Sequence, residues 1–202
     1  MLVSSYNSGN MATGNQPKPT HKGRTAMRYE NFGPFEMPVD KRGDFHIGDS
    51  EAAKLFFRAV DAEVPGLSKA CGCYVFAMRS GGGTAPWYVG KAEKTVFGTE
   101  CFNANNRLTF FNHTRERKGT PLLFLIARMT PGGRFAKPYT NGAVDVDYVE
   151  SFLIGAALTR NPDLLNVKKT RLFKDLKVPG VINAMETPFT PSTEALRNTL
   201  GL

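Results

Sequence analysis

A chain of 202 residues, 41% of them hydrophobic, is long enough for one packed domain with additional segments. No run approaches the roughly 18 consecutive apolar residues of a membrane span. The first residues lack the apolar core of a signal peptide, so we expect a cytoplasmic protein without a membrane partner. The formal net charge of +8 favours a polyanionic partner such as nucleic acid.

Residues 1–26 have the composition of a disordered basic arm. They are rich in Ser, Asn, Gly, Thr and Pro, and such a segment cannot bury enough apolar surface to fold alone. It contains no acidic residue, and its basic residues are Lys18, Lys22 and Arg24. We therefore expect the arm to follow the phosphate backbone of a nucleic acid.

Residues 27–69 are predicted to form an N-terminal extension with one helix. Up to residue 49, prolines and glycines indicate irregular chain with at most one short extended piece. Over residues 51–62, apolar side chains recur at helical spacing and predict a helix that packs on a sheet.

Residues 70–183 contain the strands and helices of the main predicted domain. Two β-rich runs flank a triple glycine and predict a hairpin with strands at 72–79 and 86–91. A helix is predicted over 100–117, and the continuous apolar run at 122–127 is typical of a buried central strand. A second long helix is predicted over 146–160, with Asp145 or Asp147 as its cap and Pro162 ending it.

The end of the chain is basic and then irregular. Residues 167–178 carry five positive charges against one negative, which fits either a solvated helix face or a path for phosphate groups. Residues 184–202 are predicted to be a C-terminal tail with a short helix over 192–200.

The chain has three cysteines, too few for a disulfide framework. Cys71 and Cys73 have no second cysteine or histidine pair near them in the sequence, so a zinc site is not expected. We expect small buried thiols.

Two tyrosine triplets lie in the predicted hairpin. Gly72-Cys73-Tyr74 is in the first strand, and Tyr88-Val89-Gly90 is in the second. Tyr74 and Tyr88 can share one face of neighbouring antiparallel strands. Three polar residues follow in a fixed order, on the first long helix, on the second and just after it: Arg107, Glu150 and Asn166.

This order of residues resembles the GIY-YIG nuclease family over roughly residues 71–168. The resemblance implies an α+β fold, with a small, mainly antiparallel three-stranded sheet flanked by helices. It also implies hydrolysis of phosphodiester bonds in DNA with Mg²⁺ or Mn²⁺, with RNA as an alternative substrate. Because the domain stands nearly alone, a restriction or defence nuclease is favoured, and a homodimer is compatible with it.

Glu150 is the most informative residue outside the hairpin. The residues from Ser151 to Thr159 carry no charge, and a carboxylate in so apolar a helix is costly unless it is solvated, paired or bound to metal. The resemblance makes Glu150 the metal ligand, in keeping with the few carboxylates and many waters that Mg²⁺ prefers. A salt bridge to a nearby arginine is the alternative.

The resemblance also assigns roles to the other polar residues. Arg107 would bind the scissile phosphate. Tyr74 and Tyr88 would position water or act as general base, if positive charge lowers their pKa from near 10. Lys91 is the alternative base, if neighbouring cations lower the pKa of its ammonium. Asn166 would support the loop after the second helix.

One position departs from the family pattern. Family members often carry a histidine one turn after the arginine, but residue 111 is phenylalanine here. His113 is the histidine that a distorted helix would bring to the site.

Two other functions fit the same residues. A GIY-YIG-like domain that binds nucleic acid without cutting is the first, although Arg107 and Glu150 together favour cleavage. The second is an unrelated α+β protein, in which Tyr74 and Glu150 would lie far apart.

Overall fold

A computed structural model describes residues 27–42 and 50–202, so the predicted arm at 1–26 lies outside the described residues. One antiparallel sheet runs through the molecule, with its strands in the order β1-β4-β2-β3. The strands are β1 (Arg28–Glu36), β2 (Gly72–Ser80), β3 (Gly83–Ala92) and β4 (Thr120–Met129).

Helices cover both faces of this sheet, so the predicted α+β class is confirmed. The α-helices of the described residues are α1 (Ser50–Glu63), α2 (Phe97–Glu100), α3 (Ala104–Glu116), α4 (Val144–Arg160), α5 (Thr170–Asp175) and α6 (Pro191–Leu200). The helix predicted over 100–117 is divided in two, because the chain turns at 101–103 and the Asn103 side chain caps α3 by accepting from the Asn106 amide at 3.0 Å. No helix in the described ranges is long and apolar enough to cross a membrane.

The predicted number of three strands is wrong, because β1 adds a fourth. Gly33 and Pro34 made this segment look irregular, but within the described ranges β1 is an edge strand that pairs only with β4. Proline is tolerated at a sheet edge because no second neighbour needs its missing amide. The register shifts between Phe32 and Phe35, so the Gly-Pro pair lies in a bulge.

The larger core lies between one sheet face and the helices α1, α2 and α3. Tyr74, Phe76 and Met78 alternate along β2 and are all buried in this core. Aromatic side chains from α1, α2 and α3 pack against them, including Phe57, Phe97 and Phe110. The predicted extension at 27–69 therefore contributes a strand and a helix to the same core as the hairpin.

Helix α4 covers the opposite face of the sheet. Cys73 and Val89 point to this side and pack with Val146 and Ile154. The cysteine thiols are free and buried, as predicted. The β3 strand bulges at Trp87, because Phe76 pairs with Tyr88 whereas Ala77 pairs with Pro86.

Candidate active site

A cleft of about 650 Å³ opens at the β3 edge of the sheet. It includes five of the predicted site residues, Tyr74, Tyr88, Lys91, Glu150 and Asn166. Other lining residues come from α3, α4 and the chain after α4, among them Asn105, Asn106, Thr109, Asp147, Lys168 and Lys169. Segments that are distant in sequence therefore meet at one surface.

The two tyrosines lie side by side on the same face of the hairpin. Tyr74 pairs with Gly90 and Tyr88 with Phe76, so they occupy diagonal positions, and their ring centroids are 6.2 Å apart. Gly90 allows this arrangement, because a Cβ atom there would collide with the Tyr74 ring and hydroxyl.

Asn106 on α3 binds the Tyr74 hydroxyl on β2. Its buried Nδ2 donates to Tyr74 Oη at 2.7 Å and to the Glu100 carbonyl at 2.9 Å. Both amide protons are therefore used, and the Tyr74 ring is fixed at its tip. Asn106 was not predicted as a site residue, because its only local signal in the sequence is its position three residues after the capping Asn103.

Neither tyrosine is prepared as a phenolate in this environment. Burial raises the pKa of Tyr74 well above 10, with smaller contributions from nearby groups that would be negative when ionised. The pKa of Tyr88 is also raised, first by burial and then by the Glu150 carboxylate. The lowering that general-base action would need is not found here, and both rings act as neutral hydrogen-bonding groups.

Lys91 lies within a group of carboxylates. Its Nζ is 2.6 Å from Asp147 Oδ1, 3.1 Å from Glu93 Oε1 and 3.9 Å from Glu150 Oε2. Burial alone would lower the pKa of Lys91, but the hydrogen bonds to Asp147 and Glu93 more than offset it, and the pKa is raised. In this environment Lys91 keeps its positive charge, and the lowered pKa on which its role as a base depends is not found.

Lys169 makes the closest contact with Glu150. Its Nζ donates to Glu150 Oε2 at 2.8 Å and to Asp147 Oδ1 at 2.9 Å. Hydrogen bonds from Lys91 and Lys169 lower the pKa of Asp147. Glu150 therefore forms salt bridges, as the alternative hypothesis predicted, but its partners are two lysines and not an arginine.

The cleft offers a divalent cation only a small number of carboxylate ligands. The described part of the chain has no group of three or more His, Cys, Asp or Glu side chains that could enclose a metal ion. A Mg²⁺ ion needs less from the protein, since it keeps several waters and takes one or two carboxylates. Glu150 and Asp147, three residues apart on α4, supply hard oxygen ligands of that kind, so the cleft fits a hydrated Mg²⁺ ion. The cation would compete with Lys169, which is bound to both carboxylates.

Arg107 and His113 do not line this cleft. The surface that α3 turns toward it carries the uncharged Asn105, Asn106 and Thr109. His113 is buried in the core, with its ring centroid 4.0 Å from that of Trp87. Among the described residues its Nε2 is a buried polar atom without a hydrogen-bond partner, and burial together with Arg117 lowers its pKa to about 4.

Asn166 fastens the loop after α4 to the exposed edge of β3. Its Oδ1 accepts from the Val89 amide at 2.9 Å, and its Nδ2 donates to the Val89 carbonyl at 2.7 Å. The side chain thereby satisfies both backbone groups that Val89 directs away from the sheet. This is the kind of support that the resemblance implied for Asn166.

No family model, curated protein or solved structure matches this chain. The resemblance to GIY-YIG nucleases therefore rests on the residue pattern, of which Tyr74, Tyr88, Glu150 and Asn166 line the cleft and Arg107 does not.

Proposed function

We propose that this protein is a GIY-YIG-type endonuclease that hydrolyses phosphodiester bonds in DNA with the help of Mg²⁺ or Mn²⁺. One observation carries the proposal: Tyr74, Tyr88, Lys91, Glu150 and Asn166 line one cleft although they come from separate segments of the chain. In an unrelated protein the two tyrosine triplets would occur by chance, and Tyr74 and Glu150 would not be expected to line the same cleft.

The surroundings of four of these side chains support a role for each. Glu150 would hold the cation, which when bound neutralises developing charge and activates water. Lys91 keeps its charge beside Asp147 and would attract phosphate oxygens. Tyr88 would donate or accept hydrogen bonds as a neutral phenol, and Tyr74 would support it from the deeper position.

A restriction or defence role in the cytoplasm is the setting that we favour, with RNA as an alternative substrate. A homodimer is compatible with this setting, since two copies can each cut one strand of a duplex.

A second candidate function has a specific observation in its favour. The α3 surface at the cleft presents Asn105, Asn106 and Thr109, where a nuclease of this type would use an arginine. A domain that binds nucleic acid without cutting needs no such arginine. Activity with and without a divalent cation separates these two candidates.

The test uses Glu150→Gln, which keeps the size of the side chain and removes its charge. We expect plasmid nicking in Mg²⁺ to fall by at least about 100-fold, because a charge-stabilising contact of the transition state is lost. DNA binding should persist or tighten, since repulsion of phosphate is reduced.

The matched control is Glu63→Gln at the exposed end of α1, which removes the same charge far from the cleft and should nick like the wild type. Nicking by Glu150→Gln at the wild-type rate would exclude Glu150 as an essential ligand. A wild-type protein that binds DNA but never nicks it would favour the binding module.

A further inference from the structure

Lys169 has an unusual backbone for a residue of its type. Its φ is 68° and its ψ is −31°, just before α5 begins. Asn183 is the other non-glycine residue with positive φ in the described ranges, and asparagine tolerates this region better than lysine does. Strained backbone persists only where surrounding contacts determine it, and it is frequent at functional sites.

The contacts of the Lys169 ammonium explain what holds it. Besides Glu150 Oε2 and Asp147 Oδ1, the Nζ lies 2.8 Å from Ser151 Oγ and 3.3 Å from the Asp147 carbonyl oxygen. An ammonium has three protons, so the acceptors of α4 use its whole donor capacity. The side chain is 29% exposed, and it therefore still reaches the cleft surface.

We propose that Lys169 is a built-in counter-cation that competes with the divalent ion for the Glu150 carboxylate. The inference rests on the proposed function, because it concerns the metal that Glu150 would hold. A cation bound at Glu150 Oε2 would lie next to the Lys169 ammonium, and charges of the same sign repel at that distance. Metal binding therefore requires that Lys169 release Glu150 or accept a longer distance from it.

Competition of this kind serves the protein in two ways. Glu150 and Asp147 lie on one helix face and would repel each other without cations beside them, so Lys169, together with Lys91, stabilises the site before metal binds. The released ammonium would stay at the cleft, where a substrate phosphate supplies new acceptors.

The test measures binding of Mn²⁺ alone by calorimetry, without nucleic acid. Lys169→Met keeps the aliphatic stem and removes the charge, and we expect Mn²⁺ affinity to rise by at least about tenfold. Lys169→Gly is the second variant, because glycine adopts positive φ without strain and should preserve the fold. It should raise the affinity in the same direction.

The matched control is Lys168→Met, which removes the same charge from an exposed cleft residue. We expect it to change Mn²⁺ affinity by less than about threefold, since exposed charges are screened. Equal gains for the two methionine variants would overturn the proposal, and so would an unchanged or weaker affinity in both Lys169 variants. Nicking is measured separately: stronger Mn²⁺ binding without any cleavage would refute the nuclease and leave the role of Lys169 intact.

Discussion

The Asn106 side chain ties α3 to the hairpin by donating both of its amide protons to buried acceptors. In Asn106→Leu the side chain keeps a similar size, but Tyr74 Oη loses the Asn106 donor, and the Glu100 carbonyl keeps only the Asn103 amide at 3.3 Å. Leaving buried acceptors unsatisfied costs about 1–3 kcal/mol. We expect the free energy of unfolding to fall by that amount in urea titrations.

The neighbouring Asn105 provides the matched control, because it lies on the same helix but is exposed. Asn105→Leu should change the free energy of unfolding by no more than about 0.5 kcal/mol. Leucine has a higher helix propensity than asparagine, so propensity would not lower the stability of either variant. An equal loss of stability in both variants would show that the Asn106 hydrogen bonds are not the cause.

At the scale of the element, β3 joins the sheet to the cleft through three devices. The bulge places Trp87 beside Tyr88 in the core that α3 covers, the Asn166 side chain closes the outer edge at Val89, and Gly90 makes room for the Tyr74 ring. Each device depends on a partner far away in sequence. The hairpin pattern alone therefore predicts the strands but not the shape of their cleft edge.

Gly90→Ala tests the close approach between the strands. The new methyl group would overlap the Tyr74 ring, so the ring must leave its position against Asn106. Overpacking of this kind costs about 1–3 kcal/mol of unfolding free energy, which thermal or urea unfolding measures.

Gly82→Ala in the β2–β3 turn is the control, because a Cβ atom there meets nothing within 4 Å. A double-mutant cycle with Tyr74→Ala should reduce the cost of Gly90→Ala, since the overlapping ring is gone. Additive effects in that cycle would show that the ring is not what Gly90 accommodates.

At the scale of the whole molecule, positive charge and the cleft are separate. The cleft lining contains four lysines and four acidic residues, so it has no net charge of its own. The net charge of +8 therefore comes from the rest of the chain, including the three basic residues of 1–26, which lie outside the described residues. The proposed function therefore divides the attraction of a polyanion and the chemistry in the cleft between different parts of the protein.

The stability of the whole fold should depend on the protonation of His113. Its pKa is about 4 in the folded protein, against an ordinary value of 6.5, because burial favours the neutral ring. The unfolded state then binds more protons below pH 6.5. Stability that is complete above pH 6.5 is lost as pH falls toward 4, by at most about 3 kcal/mol.

His113→Phe should remove this slope, since phenylalanine fits beside Trp87 and Phe76 and has no proton to bind. Urea unfolding at several values between pH 4 and 7.5 measures the effect. The lowered pKa values of Asp145 and Asp147 also reduce stability from about pH 5 downward, and because this contribution is shared by the wild type and His113→Phe, the difference between the two proteins isolates the histidine. An unchanged slope in His113→Phe would assign the pH dependence to other groups.

Local patterns by themselves determined most of the elements of this protein. Periodicity and turn residues predicted α1, the hairpin, β4, α4 and α6 to within a few residues of their observed bounds. These elements depend on residues that are close together in the sequence. The tyrosine triplets and Glu150 were likewise visible in the sequence, and the cleft brings them together.

Tertiary structure alone decided the remaining features. The pairing of β1 with β4 overrides the Gly-Pro signal, because an edge strand tolerates it. The turn at 101–103 determines which side of α3 faces the cleft, so that Asn106 enters it and Arg107 does not. Lys169 meets Glu150 only when α5 packs near α4. These contacts join residues distant in the chain, and local periodicity carries no information about such pairs.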